Sequence, residues 1–394
     1  MSISLGGVRV RPMGGGGGGP VTISEHWIPD PKTWTDTGVD VDIGGDKHFL
    51  LSVFRVGNTL YSFGSRKTGN IDTNKILSAP YDSTGNTPTW SDTGATMPSD
   101  LSYGRIALID NTLYCFGAGS GQGTTTTQIY TAPLSNPTVW SNTGATIDIR
   151  RDSATLVIAN NTIMIVGGYD NSISSGKNTV GYASVSAPTS WSTSGAILPV
   201  NIWDNSTAVA GGNVMSIGGA SPGQTSYCIR GPVSTSQPDF SSNATGVFSG
   251  GATCGTLPYV IDNGNFVSLI GGGNTTSSAI CAVGNELGTN AWQVVPNASP
   301  TSLQYTSGWI GGDGRCYVVN FGTGRIFRSG RTKVYVPSTY VPSGASAYAP
   351  LLGYSTEADA VQANGWQAGG VPTIVSSHVR MGIQPWLTNR TTAF

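Results

Sequence analysis

NTLYCFG, residues 111–117, recurs along the 394-residue chain. It returns as NTLYSFG at 58–64, NTIMIVGG at 161–168, NVMSIGG at 213–219, NFVSLIGG at 265–272 and, more loosely, RCYVVNFG at 315–322. The starts lie 53, 50, 52, 52 and 50 residues apart. A period of that size means a fold assembled from repeated units. Two more segments keep step. One reads TWSDTGATMP at 89–98, VWSNTGATID at 139–148 and SWSTSGAILP at 190–199, with degraded copies around Phe240 and Trp292. The other reads ILSAP at 76–80, IYTAP at 129–133, YASVSAP at 182–188, CIRGP at 228–232, ICAVG at 280–284 and IFRSG at 326–330. An apolar stretch precedes each Asn-led segment, as in FLLSVFRV at 49–56, RIALID at 105–110 and ATLVIA at 154–159.

Every one of these segments is short, rich in Val, Ile, Tyr, Phe and Thr, and bounded by Gly, Asn, Pro or Ser, the pattern of strands. The pairs Gly57-Asn58, Asp110-Asn111, Asn160-Asn161, Gly212-Asn213 and Gly264-Asn265 join the first two strands of a unit. These residue types accept the positive φ of tight hairpins. Each unit is therefore four antiparallel strands. Four strands of this size bury too little surface alone but form a stable ring when packed radially, which is a β-propeller. The period, the apolar strand ending in Gly-Gly, and the Tyr and Trp that follow (Tyr182 and Trp191 after Gly167-Gly168) resemble the kelch repeat over residues 32–335. Gly-Gly is reduced to Phe-Gly in three units.

TWTDTG at 33–38 is a Trp strand that precedes the first Asn-led strand, and the last unit, ending in RTKVYVP at 331–337, has no Trp strand after it. Lending the first to the last gives an all-β, six-bladed kelch-like propeller closed by the N-terminal strand. Trp34, Trp90, Trp140, Trp191, Phe240 and Trp292 then serve one blade each, packed between neighbouring sheets. Residues 1–31 form a Gly-rich arm, with VRVRP at 8–12 as a short strand and six glycines at 14–19. Residues 336–394 form a C-terminal extension, with a short helix expected at 355–365 and a strand at 373–385.

Composition narrows the function. The chain carries 20 basic and 21 acidic side chains, 10% charged in all, with 56 glycines. Near-neutrality excludes a basic nucleic-acid groove, and the surface is expected to be Ser, Thr, Asn and Gly. No apolar run reaches the roughly 18–20 residues that span a bilayer, and the first 21 residues lack a signal peptide's apolar stretch. Five cysteines without a CxxC pair are expected to be reduced thiols.

Enzyme signals are sparse. A copper oxidase resembling galactose oxidase needs two His ligands, whereas only His48 lies in a suitable blade loop. SDTGATMP at 91–98 looks faintly like a sialidase Asp-box, but Trp90 precedes it instead of following. There is no GxSxG elbow or P-loop. The expectation is a non-enzymatic chain with no metal and no cofactor.

A binding site, where one exists, belongs on the face gathering the loops between blades and the loops between second and third strands. The candidates there are Asp46, His48, Tyr103, Arg105, Arg151, Asp152, Trp203, Asp204 and Tyr305, with Arg66, Lys67, Tyr169 and Asp170 on the second set of loops. Aromatic faces beside carboxylates and guanidinium groups suit saccharides. The alternative is that Arg and Asp pair with each other and with loop carbonyls. Kelch blades often place a structural Arg near the inner strand, which points to Arg105 and Arg151.

Segments such as TGATMP and GGGGGG resemble phage tail and adhesin proteins. That resemblance implies a virion structural protein of a bacteriophage, a tail-fibre or surface component made in the host cytoplasm. It would contact other virion proteins and its own copies through the two extensions, and host surface glycan through the loop face. It would not bind nucleic acid or insert into membrane. A kelch-type protein-interaction module is the alternative, and a carbohydrate-active propeller enzyme the third.

Overall fold

The computed structural model describes residues 8–10, 22–50, 52–69, 71–82, 84–98, 105–119, 125–151, 154–170, 173–195, 197–203, 205–210, 213–217, 220–221, 223–224, 228–232, 240, 242–244, 257–261, 266–270, 281–285, 293–295, 307–320, 323–337 and 381–383. Among them there are strands and no α-helix. The expected helix at 355–365 lies outside the described residues.

The second unit shows how a repeat folds. Arg105–Ile109, Thr112–Gly119, Thr125–Pro133 and Ser141–Thr146 form one antiparallel sheet in chain order. The third unit repeats it with Thr155–Ala159, Thr162–Val166, Val180–Ser184 and Ser192–Thr193, and the fourth with Ser206–Ala210, Asn213–Ile217, Cys228–Pro232 and Ser242–Ala244. In the first unit the inner strand is broken in two, Asp46–Leu50 and Val53–Val56, and both halves pair with Thr59–Lys67. Ile71–Pro80 and Ser91–Thr96 complete that sheet. The hairpins turn where positive φ is tolerated, at Gly57, Asp110 and the pair Asn160 and Asn161.

Side chains alternate across each strand, so every sheet has two faces to bury. Phe54, Phe63 and Ile76 of the first sheet meet Ile106, Leu113 and Cys115 of the second. Ala107, Phe116 and Ile129, on the second sheet's other face, meet Leu156, Ile163 and Ile165 of the third. Val157, Met164 and Val180 then meet Val214, Ile229 and Phe240 of the fourth. This is a four-blade, propeller-like arrangement in which each sheet is sandwiched by the next. Burying each such side chain is worth ~1.5–3 kcal/mol, so neighbouring blades stabilise one another. The aromatic residues lock the stack: Trp140 sits edge-on to Phe63 at 5.2 Å and Trp191 to Phe116 at 5.1 Å. Each Trp thus packs back onto the preceding blade.

Two more sheets continue the chain. Leu257–Ile261, Phe266–Ile270, Cys281–Asn285 and Gln293–Val295 form one, and Met381–Ile383 pairs with its Leu257–Ile261 edge. The last contains Ser307–Ile310, Cys316–Val319 and Arg325–Pro337. Its fourth strand is Thr22–Asp40, with Trp34 opposite Ser329, Thr35 opposite Arg328 and Asp36 opposite Phe327.

A shared local device explains why that N-terminal segment takes this place. In Ser91–Thr96, Asp92 Oδ1 accepts the Gly94 amide, and Thr93 Oγ1 donates to the Ile76 carbonyl while accepting the Ala95 amide. Asn142, Thr143, Gly144 and Ala145 make the same three bonds, with Ile129 as the carbonyl. Asp36, Thr37, Gly38 and Val39 make them again, on Ile326. The glycines have φ of 78°, 79° and 73°, a left-handed bulge position that disfavours a side chain.

The last sheet also touches the first. Trp90 packs against Trp309 at 5.9 Å, and Trp309 stacks on Tyr317 at 5.2 Å. Arg328 Nη1 donates to the Gly85 carbonyl at 3.0 Å, and the Val41 amide to the Gly324 carbonyl at 2.9 Å. Ion pairs flank this seam: Arg325 to Asp40 at 2.6 Å, and Lys47 to Asp40 at 2.9 Å and Asp42 at 2.6 Å. Beyond the blade, the two strands run on as a ribbon, from Ile23 opposite Pro337 to Asp30 opposite Gly330, and Val8–Val10 adds a third strand against Thr22, Ile23 and Ser24.

Candidate functional site

The hairpins between second and third strands stand on one face of the blades, called the crown here. The third blade's hairpin pairs Tyr169–Asp170 with Ser175–Gly176. Backbone bonds staple its base to the loop that leads to the fourth blade. The Gly168 amide donates to the Ile202 carbonyl at 2.7 Å and the Ile202 amide to the Lys177 carbonyl at 3.0 Å. Ile202 is fully buried and anchors that loop. The next residue, Trp203, is thereby laid on the hairpin.

Trp203 packs directly on Gly176, where a Cβ would come within 2.6 Å of two ring carbons. Only glycine admits the indole this closely. Tyr169 tilts onto the same indole, with ring centroids 5.2 Å apart and planes at 54°. Both rings are partly exposed. Lys177 Nζ meets Asp170 Oδ2 at 3.2 Å beside them, and Asn201 is exposed. Among the described residues the arrangement is an aromatic corner with one acid, one amine and one amide, suited to stacking and hydrogen bonding. Among the described residues, no three His, Cys, Asp or Glu side chains are grouped to hold a metal ion.

Of the residues singled out in the sequence, Trp203 is in this corner with Tyr169 and Asp170. Asp46 is half exposed on the first blade and paired to Lys67 at 2.9 Å, a hydrogen bond that holds its carboxyl below the usual range. Tyr103, Asp152, Asp204 and Tyr305 lie outside the described residues. Lys177, Gly176 and Asn201 were not foreseen; Lys177 carried a signal, as the one charge in the segment SSGKN at 174–178.

His48, Arg105 and Arg151 are interior, 1%, 2% and 0% exposed. Arg105 reaches into the next blade's loop, donating to the carbonyls of Ala154, at 3.0 Å, and Arg151. Arg151 clamps Asp148 at 2.7 Å and donates to the carbonyls of Gly167 and Thr179 at 2.8 and 2.9 Å. These guanidinium groups hold loops together beneath the crown. The aspartate three residues before Arg151 was the missing partner, and DIRR at 148–151 carried that spacing.

His48 sits in Asp46–Leu50 with its ring Nδ1 2.8 Å from Ser65 Oγ, which in turn is 3.0 Å from Thr73 Oγ1. Burial, with Lys75 and Lys67 nearby, lowers its pKa from 6.5; Asp46 and Asp92 oppose that only in part. The unfolded chain therefore takes up a proton at His48 first. The stability contributed by the neutral ring is complete above about pH 6.5 and is lost as pH falls below it. The wild-type melting temperature is expected to drop between pH 7 and pH 5, above the range where the aspartates titrate, and His48→Gln to flatten that drop. Equal slopes in thermal melts of the two proteins would show that His48 does not carry the effect.

No family model matches the chain, and none of the curated proteins matches its sequence.

Proposed function

We propose that the protein is a non-enzymatic structural component of a bacteriophage virion, a tail-fibre or surface part built on a six-bladed kelch-like ring closed by its N-terminal strand. Its crown is a binding face for host surface glycan. Three features support six blades and closure. Six sequence units supply inner strands, the Trp34 strand bonds like its counterparts in the first two blades, and Trp90 packs on Trp309 as Trp140 and Trp191 pack on the blades before them.

The observation that carries the assembly role is the ribbon. The segments entering and leaving the propeller run side by side, from residues 22–30 and 330–337, with Val8–Val10 along one edge. A ribbon of two or three short strands is marginal on its own in water, and its open edges are templates for pairing. A handle of this kind suits docking onto virion proteins or other copies of the chain, and the weakly charged blades suit a packed particle.

Light scattering on the full-length protein and on a chain beginning at Pro20 tests this. The full chain is expected to run as a defined homo-oligomer. The shortened one, lacking Val8–Val10, is expected to keep its thermal transition and lose the oligomer. A full-length monomer, or an oligomer indifferent to the truncation, would overturn assembly through the ribbon.

A further inference from the structure

The repeats are their own control. Counted from the leading Asn of each unit, Tyr169 corresponds to Gly119 in the second blade and Arg66 in the first. Counted back from the next inner strand, Trp203 corresponds to Asp152 and Ser102. The first and second blades build the same second-to-third-strand hairpin, through the pairs Lys67 with Ile71 and Gly119 with Thr125, and have no aromatic at either position. The fold therefore does not require an indole and a phenol here. Two aromatic rings only partly buried, on an outward-facing hairpin, leave ring surface in water, whereas the first blade exposes an aliphatic side chain, Ile71, at its hairpin. The staple through Gly168, Lys177 and Ile202 fixes the backbone next to both rings, which lowers the ordering cost of binding.

Charge narrows the ligand. Among the described residues of the corner, the amine, Lys177, is already paired with a carboxylate, Asp170, at 3.2 Å, which disfavours a carboxylate, sulfate or phosphate there. An acid and an amine side by side still offer an acceptor and donors to vicinal hydroxyls. We propose that the Tyr169–Trp203 corner of the third blade binds an uncharged pyranose unit of a saccharide, with a ring face stacked on the aromatic pair and hydroxyls on Asp170, Lys177 and Asn201. This rests on the reading of the crown as a binding face and names its ligand class.

The test is saturation-transfer NMR and calorimetry on the full chain. The probes are neutral glucose-, galactose- and N-acetylglucosamine-terminated oligosaccharides and their sialylated, uronate and phosphorylated counterparts. The comparison protein carries Tyr169→Gly with Trp203→Asp, the residues of the second blade at these positions, and Trp203→Ala is a second variant should the pair fail to fold. The expected result is binding of at least one neutral saccharide, with its acidic counterpart about tenfold weaker or worse, and a loss of about tenfold or more in a variant that still melts like wild type. Undiminished binding in a folded variant overturns the site and leaves the crown as a glycan face. A preference for acidic sugars that the variant loses overturns the neutral class alone. No binding of either class overturns the corner and the glycan reading together, while assembly through the ribbon is decided separately by mass.

Discussion

Arg151→Met is expected to lower the melting temperature by ~10 °C, the consequence of ~3–5 kcal/mol lost when one partner of a buried ion pair is removed. Arg151 is completely buried, and its guanidinium joins the loop before the third blade's inner strand to two of that blade's other strand ends, at Gly167 and Thr179. Its removal leaves the Asp148 carboxylate, 3% exposed, with Thr193 Oγ1 at 2.6 Å as its remaining side-chain donor among the described residues. A buried charge without its counter-ion is the costly outcome. Asp148→Asn placed on top of Arg151→Met is therefore expected to recover part of the loss. Thermal melts of the two single variants and the double variant form the cycle. A double variant no better than Arg151→Met alone would mean that the lost carbonyl bonds, and not the stranded carboxylate, dominate.

Removing residues 1–38 is expected to abolish cooperative folding, in contrast to the mild cut at Pro20. The longer deletion takes Trp34, the Asp36 contact to Arg325 and the Thr37 bond to Ile326. It strips the ladder from Ser329, Arg328 and Phe327, of which Phe327 is 6% exposed and Ser329 fully buried. The seam beside it keeps the Val41–Gly324 bond, the Trp90–Trp309 contact and the Arg325–Asp40 pair, but the strand that leads into them is gone. Circular dichroism melts and soluble yield distinguish the outcomes. A soluble product with a sharp transition near that of the full chain would mean that the last blade does not need the N-terminal strand.

What the sequence disclosed and what it hid follow a physical line. Local pattern was legible: strand positions, the hairpin turns at Gly57, Asp110 and Asn160, and the kinship of TWTDTG with TWSDTG, because a bulge closed by bonds two residues apart is written in consecutive residues. Direction was not. Arg105 opens a strand and Arg151 sits in the loop before one, where a charged residue is as readily a ligand contact as a clamp. The Ala154 carbonyl that captures Arg105 lies 49 residues away. His48 was drawn toward the crown by its neighbours Asp46 and Lys47, yet its strand runs inward from the partly exposed Asp46 and Lys47 to the buried His48, Phe49 and Leu50, which sets His48 on Ser65. Trp203 and Tyr169 were each visible, but nothing in their spacing announces that Gly176 and Ile202 bring them together. Tyr103, Asp152, Asp204 and Tyr305 fall outside the described residues.

The claim on which the rest depends is that the chain's own first strand completes its last blade. Thr35 faces Arg328 across that ladder. Full-length protein carrying Thr35→Cys and Arg328→Cys, prepared as an equal mixture of isotopically light and heavy chains and oxidised, reports directly by peptide mapping. The account predicts one disulfide joining these two positions, within light or within heavy chains only, and a higher melting temperature than the reduced protein. Mixed light–heavy linkage would place the strand in a neighbouring copy. No linkage at all would contradict the closure of the ring.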